Sequence, residues 1–444
     1  MILREKELII PKREIELNLL EYYSKVIAKE LSPNEILNRF IISITDENNY
    51  FCELGTLSNE NDYPISQRES IFNFNKREFE STEKFNAVLL IPTGIGAELG
   101  GHCGDGNAVA RLLASACDIL ITHPNVVNAS DINEMTENTL YVEGSIITRL
   151  LMGQIGLQRV RSNRILMLMD KHEDKFFNDE ILNAISSARI SLGIDCDIYE
   201  MDNIIQSVSY YSKSGRAVGV VEHLERLFDV INNFKDKYDA IALSTFIQVP
   251  KEYHLNYFHN VDMVNPWGGI ESMLTHSIAE EFKIPCAHSP MMASREIMDM
   301  EVGIVDPRKA PETSSLTYLH CILKGLHKSP KLVPYGKGLN VEDISCLIIP
   351  DGCVGLPTLA ALEHGIPVIA VKENKNYMRN NLEELPFQNN KLFVVANYLE
   401  AVGVMHLIKS GVSLDTVRRP ILQKNIMQKE QNYLNGNDVS KRNL

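Results

Sequence analysis

The chain has 444 residues, of which 44% are hydrophobic and 23% charged, a composition typical of a globular protein with a large core. This composition excludes disordered, collagen-like and coiled-coil proteins. The formal net charge of -14 argues against a sequence-independent nucleic-acid binder, because no overall basic field attracts phosphates. The eight cysteines form no CxxC or CxxxC pair, so we expect a reduced, cytoplasmic protein without a zinc module or disulfides.

The first 84 residues differ from the rest and form a predicted N-terminal α+β segment. Helical periodicity over residues 17–31 predicts a helix, and residues 40–57 predict a β-hairpin that turns at 47–49. A polar stretch over residues 58–84 predicts a loop. The acidic start lacks the apolar stretch of a signal peptide, and no later run reaches the ~18 apolar residues of a membrane span. We therefore expect no membrane partner.

Short apolar runs alternate with helical patterns from residue 85 onward. Strands are predicted at 86–92, 118–122, 164–170, 197–201, 240–246, 284–288, 346–350, 367–371 and 392–396. Helices are predicted at 107–117, 179–192, 217–234, 270–282 and 357–364. This alternation predicts an α/β fold with Rossmann-like, mostly parallel sheets that helices cover on both faces. We expect a first lobe at 85–160, a second at 161–422 and a flexible tail at 423–444.

Ligands of open parallel sheets bind outside the carboxyl ends of the strands, so the loops there are the expected sites. The loop at 92–107 contains six glycines, which let backbone amides approach a ligand. It has no GxGxxG spacing and no Lys or Arg, so we expect no diphosphate, neither NAD nor FAD, and no resident cofactor. The candidates here are Gly94, Gly96 and Gly101 for substrate binding, and His102, Cys103 and Asp105 for catalysis. A tight structural turn is the alternative, and metal binding near His102 and Cys103 is left open.

A second polar loop follows the strand at 118–122. It places His123, Asn125, Asn128 and Asp131 just past the strand end, more polar groups than a turn requires. We predict His123 as catalytic and the other three as substrate-binding. Glu143 is expected to border the same cleft.

Two further loops carry candidate substrate contacts. The only tryptophan precedes Gly268 and Gly269, whose free amides at a helix start could receive a substrate carboxylate. The same predicted helix carries Glu271 and His276. In the next loops, His288 follows a predicted strand and Glu312 lies before a predicted helix. Arg308 is the best candidate for binding an anion through two hydrogen bonds. The substrate-binding candidates are Gly269, Glu271, His288, Arg308 and Glu312; helix entry and a solvated charged loop are the structural alternatives.

The last candidate site is a compact βαβ unit over residues 349–371. Its turn contains Asp351, a predicted substrate contact, and Cys353, which lies just before a predicted helix. The positive end of a helix dipole lowers a thiol pKa, so Cys353 is predicted to be catalytic. A buried structural cysteine is the alternative.

Long strings in these loops carry family resemblances. PTGIGAELGGHCGDGN, LITHPNVVNAS, NPWGGIES and IPDGCVGLPTLAALEHGIPVIAV together resemble a family of bacterial and plastid proteins of unknown function, from residue 85 to the C-terminal region. The Cys353 unit also resembles the second half of the aspartate/glutamate racemase superfamily, which implies a catalytic cysteine with Cys103 as its partner. GLPTLAALEHGIPVIAV is similar to the nucleotide-binding half of two-domain sugar-nucleotide glycosyltransferases, which implies Glu363 near a ribose.

Three functions follow as hypotheses. The first is an isomerase, racemase or lyase that transfers protons on a small polar, carboxylate-bearing metabolite, because His, Cys, Asp and Glu recur at the strand ends. The second is a sugar-nucleotide glycosyltransferase. The third is a non-catalytic small-molecule binding protein. In each case the expected partner is a small molecule, and homo-oligomerisation is left open.

Overall fold

The computed structural model describes residues 1–12, 18–59, 63–66, 68–102, 104–202, 204–260, 262–421 and 423. The strands are β1 (Ile2–Pro11), β2 (Glu35–Thr45), β3 (Asn49–Ser58), β4 (Asn86–Leu89), β5 (Ile119–Thr122), β6 (Thr139–Tyr141), β7 (Ile155–Gln158), β8 (Arg164–Asp170), β9 (Asp195–Met201), β10 (Gln206–Tyr211), β11 (Ala217–Glu222), β12 (Ala240–Ser244), β13 (Cys286–His288), β14 (Lys331–Pro334), β15 (Ile344–Pro350), β16 (Val354–Gly355), β17 (Val368–Val371) and β18 (Leu392–Val395). The helices are α1 (Leu19–Ile27), α2 (Asn107–Ala114), α3 (Pro124–Val127), α4 (Gly144–Leu151), α5 (Lys175–Leu192), α6 (Leu224–Phe234), α7 (Lys251–His259), α8 (Gly268–Phe282), α9 (Arg295–Met298), α10 (Leu319–His327), α11 (Leu356–His364), α12 (Tyr398–Lys409) and α13 (Leu414–Val417).

A six-stranded parallel sheet, the first sheet, has the order β18-β17-β15-β4-β5-β6. The chain winds outward from β4 to β6, and later from β15 to β18 on the other side. Its central strands β4, β5, β15 and β17 are buried along their whole length, which is why they are uninterrupted apolar runs. All six carboxyl ends lie at one edge, and the winding reverses between β4 and β15.

A second parallel sheet has four strands in the order β13-β12-β8-β9. Its winding reverses between β8 and β12, so this sheet also presents a carboxyl edge where ligands of such sheets bind. Strand β7 precedes the strands of this sheet in the chain, and β14 follows them. The two form a short antiparallel pair.

An antiparallel sheet of six strands has the order β10-β11-β1-β3-β2-β16. The predicted hairpin is confirmed as β2 and β3, which turn at residues 46–48. Strands β10, β11 and β16 come from much later in the chain, so residues 1–84 do not form this sheet alone. The first sheet likewise takes β4 to β6 from the predicted first lobe and β15, β17 and β18 from the predicted second. The strands of one sheet therefore come from more than one of the predicted segments and lobes.

Helix α8 is buried on almost all sides because it packs between these layers. It contacts β11 of the antiparallel sheet, β13 of the second sheet, and α4, which follows the first sheet. Gly269 permits this position, since a Cβ there would lie 2.1 Å from the carbonyl oxygen of Ala217 in β11. Helix α8 thus joins all three sheets to one another.

The α/β class is confirmed, and all nine predicted strands are present, with ends that differ by a few residues. The predicted helix at 217–234 is wrong in its first part. Residues Ala217–Glu222 form strand β11, because their β-branched side chains favour a strand and their backbone pairs with β1 and β10. The helix predicted at 17–31 is α1, and the tail at 423–444 lies outside the described residues except for residue 423. No helix in the described ranges is long and apolar enough to cross a membrane.

Candidate functional site

A cavity of about 470 Å³ lies between the carboxyl edges of the two parallel sheets and the inner side of the antiparallel sheet. The loops that follow β4, β5 and β15 all line it. These three strands are neighbours in one sheet, which confirms that the loops share one edge, as expected from the sequence. Residues after β12 and β13 close the opposite side, and α8 lines the cavity between the sheets.

The cavity gathers about half of the predicted site residues. Those that line it are Gly94, Gly101, His123, Asn125, Asn128, Glu271, His288, Glu312 and Cys353. Those that the structure places elsewhere are Gly96, His102, Asp105, Asp131, Gly269, Arg308 and Asp351. Cys103 lies outside the described residues.

Glu143 and His276 form a carboxylate–histidine dyad in the cavity wall. Glu143 caps the start of α4, and its Oε2 accepts hydrogen bonds from the amides of Ser145 (2.9 Å) and Ile146 (3.3 Å). His276 Nε2 lies 3.1 Å from Glu143 Oε1. Burial tends to raise the pKa of Glu143, but His276 and these hydrogen bonds outweigh it and hold the pKa below its usual range. Glu143 is therefore an ionised carboxylate that orients the ring of His276.

Glu312 has the opposite electrostatic environment. Its carboxyl is buried, and this burial, together with the negative charge of Glu271, raises its pKa to about 7. The hydroxyl of Tyr257 donates a hydrogen bond of 2.6 Å to Glu312 Oε1. His102 Nδ1 lies 3.3 Å from the same hydroxyl, so Tyr257 links His102 to Glu312, which lines the cavity. Burial lowers the pKa of His102 to about 4, which leaves its ring neutral at neutral pH.

His288 and Glu271 provide a second, looser histidine–carboxylate pair. His288 Nε2 lies 2.9 Å from the Thr245 hydroxyl, and its Nδ1 lies 3.7 Å from Glu271 Oε1. Within the described residues, this buried Nδ1 has no hydrogen-bond partner. A buried nitrogen without a partner is costly, so the Nδ1 of His288 keeps unused hydrogen-bonding capacity.

His123, predicted as catalytic, lines the cavity beside Glu143. Its Nε2 accepts a hydrogen bond of 3.1 Å from the Ile91 amide, which places the proton of the neutral ring on Nδ1. Burial lowers the pKa of His123 to about 4. The ring is therefore a neutral hydrogen-bond donor rather than a general base at neutral pH.

The prediction of an acidic thiol at Cys353 is wrong. Cys353 lines the cavity and is followed by β16 and α11, but its side chain is buried. Burial raises the pKa of the Cys353 thiol well above its usual value, and the carboxylate of Asp351 raises it further. Desolvation outweighs the helix dipole because the dipole stabilises a thiolate by only about 1 kcal/mol or less at a typical site.

Two predicted anion-binding groups have protein partners instead. The Arg308 guanidinium forms a bidentate pair with Asp306, with both N···O distances 2.9 Å, and also contacts Glu98 at 2.7 Å. The amides of Trp267 and Gly268 both donate to Asn265 Oδ1, so the first glycine amide of the Gly-Gly turn is already paired. The sequence could not reveal that these donors are already paired within the protein.

The remaining predicted residues outside the cavity have structural partners. Gly96 packs against the ring of Tyr377, where a Cβ would lie 2.6 Å from a ring carbon. Asp105 accepts from the Gly100 amide at 2.6 Å, and burial raises its pKa to about 6.

The other two predicted acids act as local caps. Asp131 accepts a hydrogen bond from the His320 amide at the start of α10, and Asp351 accepts one from the amide of Gly352 in its own turn. No group of three or more His, Cys, Asp or Glu side chains among the described residues could hold a metal ion.

Sequence reasoning missed the contributions of the antiparallel sheet and of α4. Arg39 on β2 and Arg149 within α4 line the cavity, although neither lies in a loop directly after a strand of a parallel sheet. Arg39 donates to Ser272 Oγ at 3.1 Å and to Glu5 Oε1 at 2.7 Å. The only available signal for Arg149 was that it is the one charged residue of its helix, GSIITRLL.

Comparisons with known proteins agree with the family resemblance of the strings quoted above. The family described as "Protein of unknown function (DUF3326)" matches residues 86–418. An uncharacterised lipoprotein of Synechococcus sp. is 30% identical over 336 residues, which are 73% of this chain and 91% of that protein. No solved structure matches the chain. The cavity is built mainly from the matched region, and the chain belongs to the DUF3326 family of proteins of unknown function.

Proposed function

We propose that this protein is an enzyme that transfers protons on a small molecule bound in the cavity, in the manner of an isomerase, racemase or lyase. The observation that carries the proposal is a pair of buried carboxyl groups in one cavity whose pKa values shift in opposite directions. Glu143 is held ionised, and burial raises the pKa of Glu312 to about 7. Environments that separate two pKa values in this way assign one group to acid and the other to base chemistry.

The geometry supports a role for each group. His276, oriented by Glu143, is the general base, and the contact through its Nε2 leaves Nδ1 to accept a proton. It removes a proton from a C–H bond next to a carbonyl; the electron pair of that bond forms the C=C bond of an enol, and the π pair of the carbonyl moves onto its oxygen. Glu312, about half of which is protonated at pH 7, donates its proton to that oxygen. The Nδ1–H of His123 is a further donor to a developing oxyanion.

The order of the strands in the first sheet supports the same location for the bound small molecule. When the first sheet is numbered along the chain, its strands lie in the order 3-2-1-4-5-6, which favours a Rossmann-like interpretation. In such sheets the ligand binds at the carboxyl edge where the winding reverses, here between β4 and β15. Both Gly94, after β4, and Cys353, after β15, line the cavity at this position.

The proposal is tested by deuterium exchange, which detects proton transfer without knowledge of the product. The protein is incubated in D₂O with 2-oxo acids, amino acids and 3-oxo acids, and the loss of C–H signals is followed by ¹H NMR. We expect accelerated exchange with one of these classes, and a reduction of at least ~100-fold in Glu312→Gln and His276→Asn. Glu83→Gln, which removes a surface charge, serves as the matched control.

The alternative is a non-catalytic binding protein. It predicts that compounds quench the fluorescence of Trp267, which lines the cavity, without any exchange above the buffer rate. That result would overturn the catalytic proposal.

A further inference from the structure

The cavity extends along helix α8, and one side of this helix lines it throughout. Trp267, Glu271, His276 and Glu280 line the cavity at successive turns. At 1.5 Å per residue, the distance along the helix from Trp267 to Glu280 is about 20 Å. A cavity of about 470 Å³ that extends this far is narrow. An elongated ligand therefore fits it better than a compact one.

The beginning of α8 faces the apolar end of the cavity. The residues after β13 lie beside it, as the contact of 3.7 Å between His288 and Glu271 shows. The apolar lining residues from the segments before α8 and after β13, here called the apolar end, are Phe258, Trp267, Met291, Met292, Met298 and Met300. Methionine side chains are flexible and polarizable, so such a surface adapts to apolar groups of different shape.

The other end of the cavity contains a buried guanidinium with too few partners. Arg149 is 8% exposed and lines the cavity. Its charged partner among the described residues is Glu280, whose Oε1 lies 3.5 Å from Nε and whose Oε2 lies 3.5 Å from Lys283. Arg149 Nη1 is buried without a hydrogen-bond partner in the described part of the chain. A buried guanidinium nitrogen without a hydrogen bond is unfavourable, so this side chain has the capacity to bind an anionic ligand.

We infer that the ligand is an elongated carboxylate, with its carboxylate on Arg149 and an apolar body against the apolar end. Only the position of the reacting carbon in this inference rests on the proposed function. Glu280 lies one helical turn beyond His276, so the reacting carbon is about 6 Å from the carboxylate. A ligand with a carboxylate and a nearby acidic C–H bond satisfies both groups.

The charges around the cavity favour a carboxylate over a phosphate. Glu143, Glu271, Glu280 and Glu312 line it, whereas the lysine and arginine side chains among its described lining residues are Arg39 and Arg149. Arg39 is already hydrogen-bonded to Ser272 and Glu5. One planar guanidinium matches one singly charged carboxylate, and a doubly charged phosphate requires more positive charge.

The test measures binding through the fluorescence of Trp267, the only tryptophan. The probes are 6-phenylhexanoate, the corresponding alcohol and the corresponding phosphate monoester. We expect the carboxylate to bind at least tenfold more tightly than the alcohol, and Arg149→Met to abolish this difference. Glu280→Gln should tighten carboxylate binding, because it removes a competing negative charge. A substitution that merely disturbed the cavity would weaken the binding of both the carboxylate and the alcohol. Arg111→Met on the exposed face of α2 is the matched control.

Three results would overturn the inference: equal affinities for the carboxylate and the alcohol, unchanged carboxylate binding in Arg149→Met, or tighter binding of the phosphate. Repeating the measurement in Glu312→Gln separates this inference from the proposed function. Arg149-dependent carboxylate binding without deuterium exchange in the wild type would leave the binding site in place and remove only the catalytic role.

Discussion

Replacing Glu312 with glutamine should make the protein more stable above pH 7 and change its stability little near pH 4. The amide keeps the size of the side chain and an oxygen that accepts the hydrogen bond from Tyr257. It removes the ionisation of a carboxyl that is buried against the cavity. The variant therefore isolates the cost of charging this group in the folded protein.

The magnitude follows from the shift in the pKa of Glu312 from 4.5 to about 7. Between these values the folded state binds a proton that the unfolded state has released, so wild-type stability falls as pH rises through this window. A shift of this size corresponds to about 3 kcal/mol, at roughly 1.4 kcal/mol per pKa unit. The advantage of Glu312→Gln should grow from near zero at pH 4 to about 3 kcal/mol at pH 8 and above.

Urea denaturation at several pH values between 4 and 9 measures this difference directly. Glu83→Gln, at an exposed loop position, shows how much of any change comes from removing one surface charge. A difference between Glu312→Gln and wild type that stays constant with pH would refute the reasoning. So would a variant that is less stable than wild type at pH 8.

Four further predictions concern other residues. Cys353 should react with iodoacetamide only when the protein unfolds, because burial raises the pKa of its thiol; mass spectrometry of native and unfolded protein checks this. Gly104→Ala should cost more than ~1 kcal/mol in urea denaturation, because Gly104 has a φ of +64° and a Cβ would lie 2.3 Å from the Asn128 amide nitrogen. Gly403→Ala, inside α12 with nothing within 4 Å, should instead stabilise by up to ~1 kcal/mol. Arg216→Met should cost roughly 3–5 kcal/mol by the same assay, because it leaves two buried carboxylates without their shared guanidinium.

The parallel strands could be predicted because burial on both faces requires uninterrupted apolar runs. Strand β1 could not be predicted in this way. Its sequence ILREKELIIP contains charged residues, and Glu5 within it is buried against Arg39 and Arg216. Arg216 is 211 residues away in sequence, so no local pattern indicates that Glu5 faces inward.

The position of the cavity could also be predicted, since the loops after β4, β5 and β15 must share one edge. The chemistry of the individual side chains could not. Whether Arg308 binds a ligand depends on Asp306 and Glu98, and the acidity of Cys353 depends on how deeply it is buried. The pairing of Glu143 with His276 depends on α8 crossing between the sheets, which no spacing in the sequence encodes.

We expect two carboxyl groups of one cavity to titrate far apart, so that Glu143 is ionised at pH 7 while about half of Glu312 is still protonated. A ¹³C NMR titration of the glutamate carboxyl resonances tests it most directly, with Glu312→Gln and Glu143→Gln identifying the two signals. The account predicts that Glu312 titrates near pH 7 and that Glu143 stays ionised below pH 4.5, in line with the directions of their pKa shifts. Titration of both groups near pH 4.5 would contradict it, because neither would then be suited to donate a proton at neutral pH.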